Sequence, residues 1–458
     1  MRLRSKVIVG ACVLAVAATA APAVTAAASS GPGSDLAAGR GHGHGHGHGG
    51  SGAGLGFEVL GPRDGWGAYG NGTSGGASAS PENIHTVTSR AELLAALGSP
   101  DDDTPRIVRV KGTIDMNTDD QGNPLSCEDF ADPEYSTDAY LAAYDPETWG
   151  WDEEPAGPLE EARDRSHDNQ AAHAVYRVGS NTTLVGVGKD ARILGGAMLI
   201  RGVSNVIVRN ISFEAVEDCF PQWDPTDGSA GNWNAEFDAL WLYGATNVWL
   251  DHNTFRGGGR PDTEHFGRPY MVYDGSVDIT RGSDLVTVSY NHYDNYDKGM
   301  LIGGSDRHSE DIGRLRVTYH HNLFENVIQR SPRVRRGQVH LYNNHWLVTP
   351  DAPFGFDYAW GVGLESQIYA QNNYFEGDIE PGAIAHRWNG TSLYETGTFL
   401  NGFGHRDRVD VVAAHNAARP DSPLVAGADW TPWLHGRIQP VHKAVKDISR
   451  HAGAGHLK

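Results

Sequence analysis

Six stretches of this chain repeat one pattern. "SNVIVRNISF", "TNVWLDHNTF", "DLVTVSYNHY", "LRVTYHHNLF", "QVHLYNNHW" and "QIYAQNNYF" are alternating apolar strands, nearly all reaching an asparagine followed within two or three residues by an aromatic. Their spacing, roughly 20 to 40 residues, is that of a solenoid, in which each unit buries its apolar face only against its neighbours. Asn253, Asn291, Asn322, Asn344 and Asn373 occupy the same place in successive units. An asparagine at a strand end can turn in the left-handed region and bond its amide to the equivalent residue one rung away, so stacked units gain a continuous ladder. A β-sandwich with asparagine turns explains neither the recurring signature nor why the intervals vary while the strand cores do not. The expected fold is all-β: a right-handed parallel β-helix with an N-terminal helix and loops extruded from the coils.

The beginning of the chain reads differently. Arg2, Arg4 and Lys6 precede an apolar run from Val7 to Val16 and small residues ending in "APAVTAAASS", the pattern of a secretory signal peptide over residues 1–28. Residues 29–55 form a Gly/Ser/His tract with no apolar face to bury, expected to be a flexible leader. Its His42, His44, His46 and His48 could chelate a transition metal, but nothing in a glycine-rich coil orients the rings. The β-helix domain is assigned to 56–458. Within it "SRAELLAALG" is a short helix, with Ser89 and Glu92 as a capping box and Gly98 just past its end. "RIVRVKGTI" is a strand, and the acidic, aromatic stretch 115–177 carries helical pieces decorating the coils. Removing the signal leaves Cys127 and Cys219, compatible with one disulfide or with two buried thiols.

The formal net charge is -20, which argues against nucleic acid or an anionic membrane as partner, since both require a net basic face. Yet "NVIQRSPRVRRGQVHLYNN" crowds Arg330, Arg333, Arg335 and Arg336 together. In a β-helix equivalent positions on neighbouring coils lie about 4.8 Å apart, so residues distant in sequence meet on one face. Asp274 and Asp278 stand at the entry to one strand, and Asp238 comes from the preceding coil. Carboxylates without cysteine or clustered histidine make an oxygen site for a hard cation, and Ca2+ tolerates the irregular geometry of loops, but by spacing alone solvated surface aspartates are the commoner explanation. Lys298 and the arginines supply cations opposite them. Strand-end ion pairs are expected for Arg333 and Arg336, and packed, hydrogen-bonded roles for His252, His320 and His321.

From about Phe57 onward the chain resembles the secreted bacterial pectate lyases of polysaccharide lyase family 1. The motifs that carry the resemblance are "VWLDH", "FPQWDPTDG", "GNWNAEFDAL", "YDGSVDITRGSD", "DKGMLIGGSD" and "QRSPRVRRGQVHLYNN". It implies calcium bound by Asp238, Asp274 and Asp278, catalysis by Arg330 with Lys298 and Arg335, and substrate contacts from Lys298 and Arg335. It implies calcium-dependent β-elimination on polygalacturonate, by an extracellular monomer. Family members often carry Lys at the position of Thr280, so one sugar-carboxylate contact is missing here or moves to Arg281. A guanidinium has an ordinary pKa above ~12, and crowding Arg330 against calcium, Lys298 and Arg335 is expected to lower it. Rival readings are a pectin lyase or a polygalacturonase on the same fold, or a non-catalytic carbohydrate-binding β-helix. A polygalacturonase needs clustered aspartates as acid and base. Its ordered motifs are absent, although "NTDD" occurs at Asn117 to Asp120 and "GHG" in the leader.

Overall fold

A computed structural model describes residues 54–259, 263–353 and 355–457. The signal segment 1–28 and nearly all of the leader 29–55, with its four histidines, lie outside the described residues. Each of the six repeated stretches proves to be two strands in different sheets, with a sharp corner between them. Ser204–Arg209, Thr246–Asp251, Asp284–Ser289, Val317–His320, Gln338–Tyr342 and Gln367–Gln371 stack in parallel as a first sheet. Ser212–Glu214, Thr254–Arg256, His292–Asp294, Leu323–Glu325, His345–Leu347 and Tyr374–Glu376 stack as a second. A third sheet runs in parallel through Val175–Arg177, Ala197–Arg201, Leu240–Tyr243, Val277–Thr280, Leu301–Ile302, Arg333–Val334, Trp360–Val362 and Ala385–Arg387. This is a parallel β-helix, as the repeats predict.

The asparagine ladder is present. Asn253 Nδ2 donates to Asn291 Oδ1 (3.0 Å), Asn291 to Asn322 (3.1 Å), Asn322 to Asn344 (2.9 Å) and Asn344 to Asn373 (3.2 Å). One detail of the expectation is corrected: the left-handed residue is the one before each ladder asparagine. His252, Tyr290, His321, Asn343 and Asn372 have φ between 49° and 56°, and that bend aims the next side chain inward, where all five ladder amides are buried. The aromatic two places further on is buried too. Phe213, Phe255, Tyr293, Phe324, Trp346 and Phe375 form a stack with ring centroids 5.4, 5.1, 5.0, 4.8 and 4.6 Å apart. The signature therefore encodes two internal columns, one polar and one aromatic.

Helix Arg90–Leu97 buries Leu93 and Leu97 at the start of the solenoid. Ser89 Oγ accepts from Glu92 N and Gly98 closes the helix, but the Glu92 carboxylate reaches Thr88 N (2.7 Å), one residue upstream of the expected box. The decoration contains helices Thr137–Ala143 and Pro158–Ala174, which pack Tyr140, Tyr144, Trp223, Trp233 and Met271 into a second small core. Cys127 and Cys219 form a disulfide that ties this lobe to the coils. A C-terminal helix, Val441–His451, packs Ala444 and Ile448 against Leu323. No helix of the described residues is long and apolar enough to cross a membrane.

Candidate active site

The turns from the second sheet into the third carry the charged residues. Asp238 precedes Leu240–Tyr243, Asp274 precedes Val277–Thr280, Lys298 precedes Leu301–Ile302, and Arg330 precedes Arg333–Val334. Parallel register stacks them: Trp241 pairs with Asp278, Ile279 with Ile302, and Leu301 with Arg333, while Lys298 bridges Gln329. Residues far apart in the chain thus become neighbours on successive rungs.

Backbone groups orient the carboxylates. Asp238 Oδ1 accepts from Gly275 N (3.0 Å) and Asp278 Oδ1 from Leu301 N (2.9 Å), while Lys298 Nζ donates to Asp274 Oδ1 (3.0 Å). A Cβ at Gly275 would lie 2.7 Å from Asp238 Oδ1, and one at Gly299 would lie 2.7 Å from the Arg330 carbonyl. Only glycine lets these turns approach so closely. Arg330 itself is left-handed (φ 58°), and the next residue, Ser331, is buried and fixed by Trp346 Nε1 (2.9 Å) from the aromatic stack.

Like charges accumulate on this face. Burial and the Asp274 carboxylate push Asp278 up to about 7, against the pull of Leu301 N–H, Arg330 and Lys298. Burial, Asp278 and Asp274 together raise Asp238 well above the usual carboxylate range. A set of half-buried oxygen donors that repel one another in this way is short of positive charge, and its all-oxygen chemistry fits a hard cation. The three aspartates stand more openly than a closed cage. The trio of potential ligand atoms lying within 4.8 Å of one another among the described residues is His292, Asp294 and Glu325, on the outer face of the second sheet. Those groups already have partners: His292 Nε2 meets Glu325 Oε2 at 2.8 Å and Asp294 meets Arg256 at 3.0 Å.

The arginines divide into tethered and free. Arg335 donates to Asp306 Oδ1 (2.8 Å) and to the Gly303 carbonyl (2.9 Å), and Arg336 pairs with Glu365 (2.9 Å) as expected of a strand-end ion pair. Arg330 meets no acidic partner among the described residues, and its Nε is buried without a bond. The ion pair expected for Arg333 is not there. Its guanidinium lies 4.0 Å over the Trp388 ring, a partner contributed two coils later that no local pattern could have flagged. Arg281 pairs with exposed Glu310 (3.0 Å) and lies 5.7 Å over Tyr243. Thr280 Oγ1 accepts from Trp241 Nε1 (2.8 Å), so an indole occupies the place beside it. His252 is buried with Nδ1 2.7 Å from Asp251 Oδ2, stacked on Tyr290, and His320 and His321 are buried alongside. All three histidines pack at the corner between the first and second sheets.

Fold and site together define a parallel β-helix protein with carboxylates and arginine forks interleaved on one face, an arrangement made for an anionic polymer. The chain belongs to the pectate lyase family, whose model matches residues 158–457. It is 46% identical over 411 residues to a pectate lyase of Bacillus subtilis (strain 168), covering 88% of this chain and 94% of the relative. Pectate lyase E of Dickeya dadantii (strain 3937) is 34% identical over 351 residues, covering 74% of this chain and 75% of the relative. Among solved structures, the thermostable pectate lyase PL 47 superimposes with a TM-score of 0.85 at 48% identity, covering 88% of this chain and all of that one. A pectate lyase bound to hexasaccharide does so with a TM-score of 0.83 at 45% identity, covering 88% and 100%.

Proposed function

We propose that this protein is a secreted, calcium-dependent pectate lyase that cleaves de-esterified polygalacturonate by β-elimination, with Asp238, Asp274 and Asp278 holding the cation. The observation that carries this is one face on which carboxylates short of positive charge adjoin an arginine, Arg330, that forms no ion pair among the described residues. When bound, calcium supplies positive charge opposite the sugar carboxylate, easing loss of the neighbouring proton. Lys298 and Arg335 face the same carboxylate and stabilise the negative charge that develops as the proton leaves, each worth on the order of ~3 kcal/mol by analogy with one oxyanion donor. Arg330 takes the C5 proton; the electron pair forms the C4–C5 double bond and expels the C4 glycosidic oxygen, which is protonated from solvent. Arg281 joins the substrate contacts at the periphery by exchanging Glu310 for a sugar carboxylate.

Export through a signal peptide at 1–28 and a leader over 29–55 complete the reading, and the Cys127–Cys219 disulfide supports an oxidising destination. The test is the initial rate of 4,5-unsaturated uronide release on pectins of graded esterification, with chelator or calcium, across pH. Activity should fall with esterification, vanish in chelator, return with calcium and climb on the alkaline side, where a neutral guanidine becomes less rare. A calcium-independent preference for highly esterified pectin at acidic pH would instead identify a pectin lyase.

A further inference from the structure

Arg333 forms no ion pair among the described residues, Asp306 acting on it only from a distance. It pairs across the third sheet with Leu301 on one side and Gly361 on the other. Burial pushes its guanidinium down to about 10, with Arg335 and Arg330 adding to the effect. The carboxylates that might neutralise it are engaged elsewhere: Asp306 accepts from Arg335 Nε (2.8 Å) and Asn389 Nδ2 (2.7 Å), and Glu365 pairs with Arg336. Its Nε is buried without a bond. Such an arrangement costs stability unless something else meets the fork.

What holds the guanidinium in place is Trp388, whose ring it covers at 4.0 Å and which stays 42% exposed. The loop carrying that ring is fixed at several points. Trp388 N donates to the Val362 carbonyl (2.9 Å), Arg387 Nε to the Gly390 carbonyl (2.8 Å), and Asn389 Nδ2 to Asp306. A cation–π contact leaves the N–H edge of a guanidinium available, and a fork held on a rigid ring loses little entropy on binding a planar anion.

We propose that Arg333, positioned by Trp388, forms a further carboxylate-binding subsite beside Arg330 and Arg335 that grips a uronate residue flanking the one that reacts. This rests on the polyanionic substrate proposed above, whose carboxylate on every sugar is the missing counter-ion. Arg333 binds and Trp388 positions; neither is assigned a part in proton transfer.

The experiment is kinetics of unsaturated-product release on polygalacturonate and on oligogalacturonides of graded length, with calorimetric binding of the six-unit oligomer. For Arg333→Ala, KM on polymer and six-unit oligomer should rise about tenfold, equivalent to about 1.4 kcal/mol, with the effect shrinking toward the shortest oligomer cleaved. Arg333→Lys should fall between, because it keeps the charge and loses the fork. Trp388→Ala should follow Arg333→Ala at smaller size, and Trp388→Phe should restore most of the affinity. An unchanged KM for the six-unit oligomer, or the same fold loss at every length, overturns the subsite. Should the parent enzyme release no unsaturated product, the lyase reading fails, and calorimetry still decides this one: a tenfold weaker six-unit oligomer with Arg333→Ala supports the subsite, equal affinity refutes it.

Discussion

Two corners of the same coil are built on opposite principles. At the corner between the first and second sheets, every ladder amide is satisfied: Asn322 donates to the Val288 carbonyl and Asn344 Oδ1 and accepts from Asn291. At the corner leading into the third sheet, Asp238 and Asp278 are pushed toward protonation by burial and by neighbouring carboxylates, and Arg330 and Arg333 keep buried N–H groups unbonded. The ladder of the first corner is made of neutral amides that partner one another from coil to coil. The second holds unmatched charge, which under the proposed function an anionic chain and a cation meet. Stability and function have been assigned to different edges of one prism.

The strongest way to break this contrast is Arg330→Lys, which keeps a cation and removes the fork and the proposed proton acceptor. Turnover should fall by roughly a thousandfold or more, comparable to losing a principal transition-state group, with thermal stability unchanged and oligomer binding largely kept. Equal loss of turnover from Arg333→Ala would erase the distinction drawn between these arginines.

Asn322→Ala should do the reverse. It takes the acceptor from Asn291 N and the donor from the Val288 carbonyl in a closed interior, at a cost of about 3 kcal/mol, while Asn291 Nδ2 keeps the Leu250 carbonyl. Denaturant unfolding should show that cost, while kcat per folded molecule stays near the parent value. A catalytic defect exceeding the stability defect would mean the two corners are not separable.

The last contrast concerns pH, where Asp278 on the charged face and His340 on the first sheet should respond with opposite sign. Asp278, raised to about 7 from an ordinary value near 3.8, binds a proton in the folded state that the unfolded chain releases. In cation-free protein this group makes stability fall as pH rises from about 4 to 7, by up to about 1.4 kcal/mol per pH unit. His340, buried and lowered to about 3 with Gln371 as its hydrogen-bond partner, is neutral when folded. Stability from it is therefore lost as pH falls from about 6.5 toward 3. Asp278→Asn should flatten the first slope and remove the stabilisation by added calcium, and His340→Gln should flatten the second. Melting curves with and without chelator read both; a calcium response that survives Asp278→Asn would remove that residue from the cation site.

Much of this was legible along the chain because the solenoid is nearly one-dimensional. A residue's neighbours are its counterparts one coil away, so the recurring Asn-x-aromatic signature reports both a column and its contents. It could not tell which residue bends, since the asparagine of the signature suits a left-handed position as well as the His252, Tyr290 or His321 before it, which are the ones that bend. Nor could it reach Trp388, which touches Arg333 from two coils further on.

Sequence by itself determined the coil, the ladder and the residue types that gather on one face, because these depend on period and side-chain chemistry. Tertiary structure alone decided which charges are neutralised. Asp306 takes Arg335, Glu365 takes Arg336 and Glu310 takes Arg281, while Arg330 and Arg333 are left open. Those choices are made by loops of variable length folding back across coils. Whether a charge is spent or available depends on a few ångströms that no pattern of residues along the chain specifies.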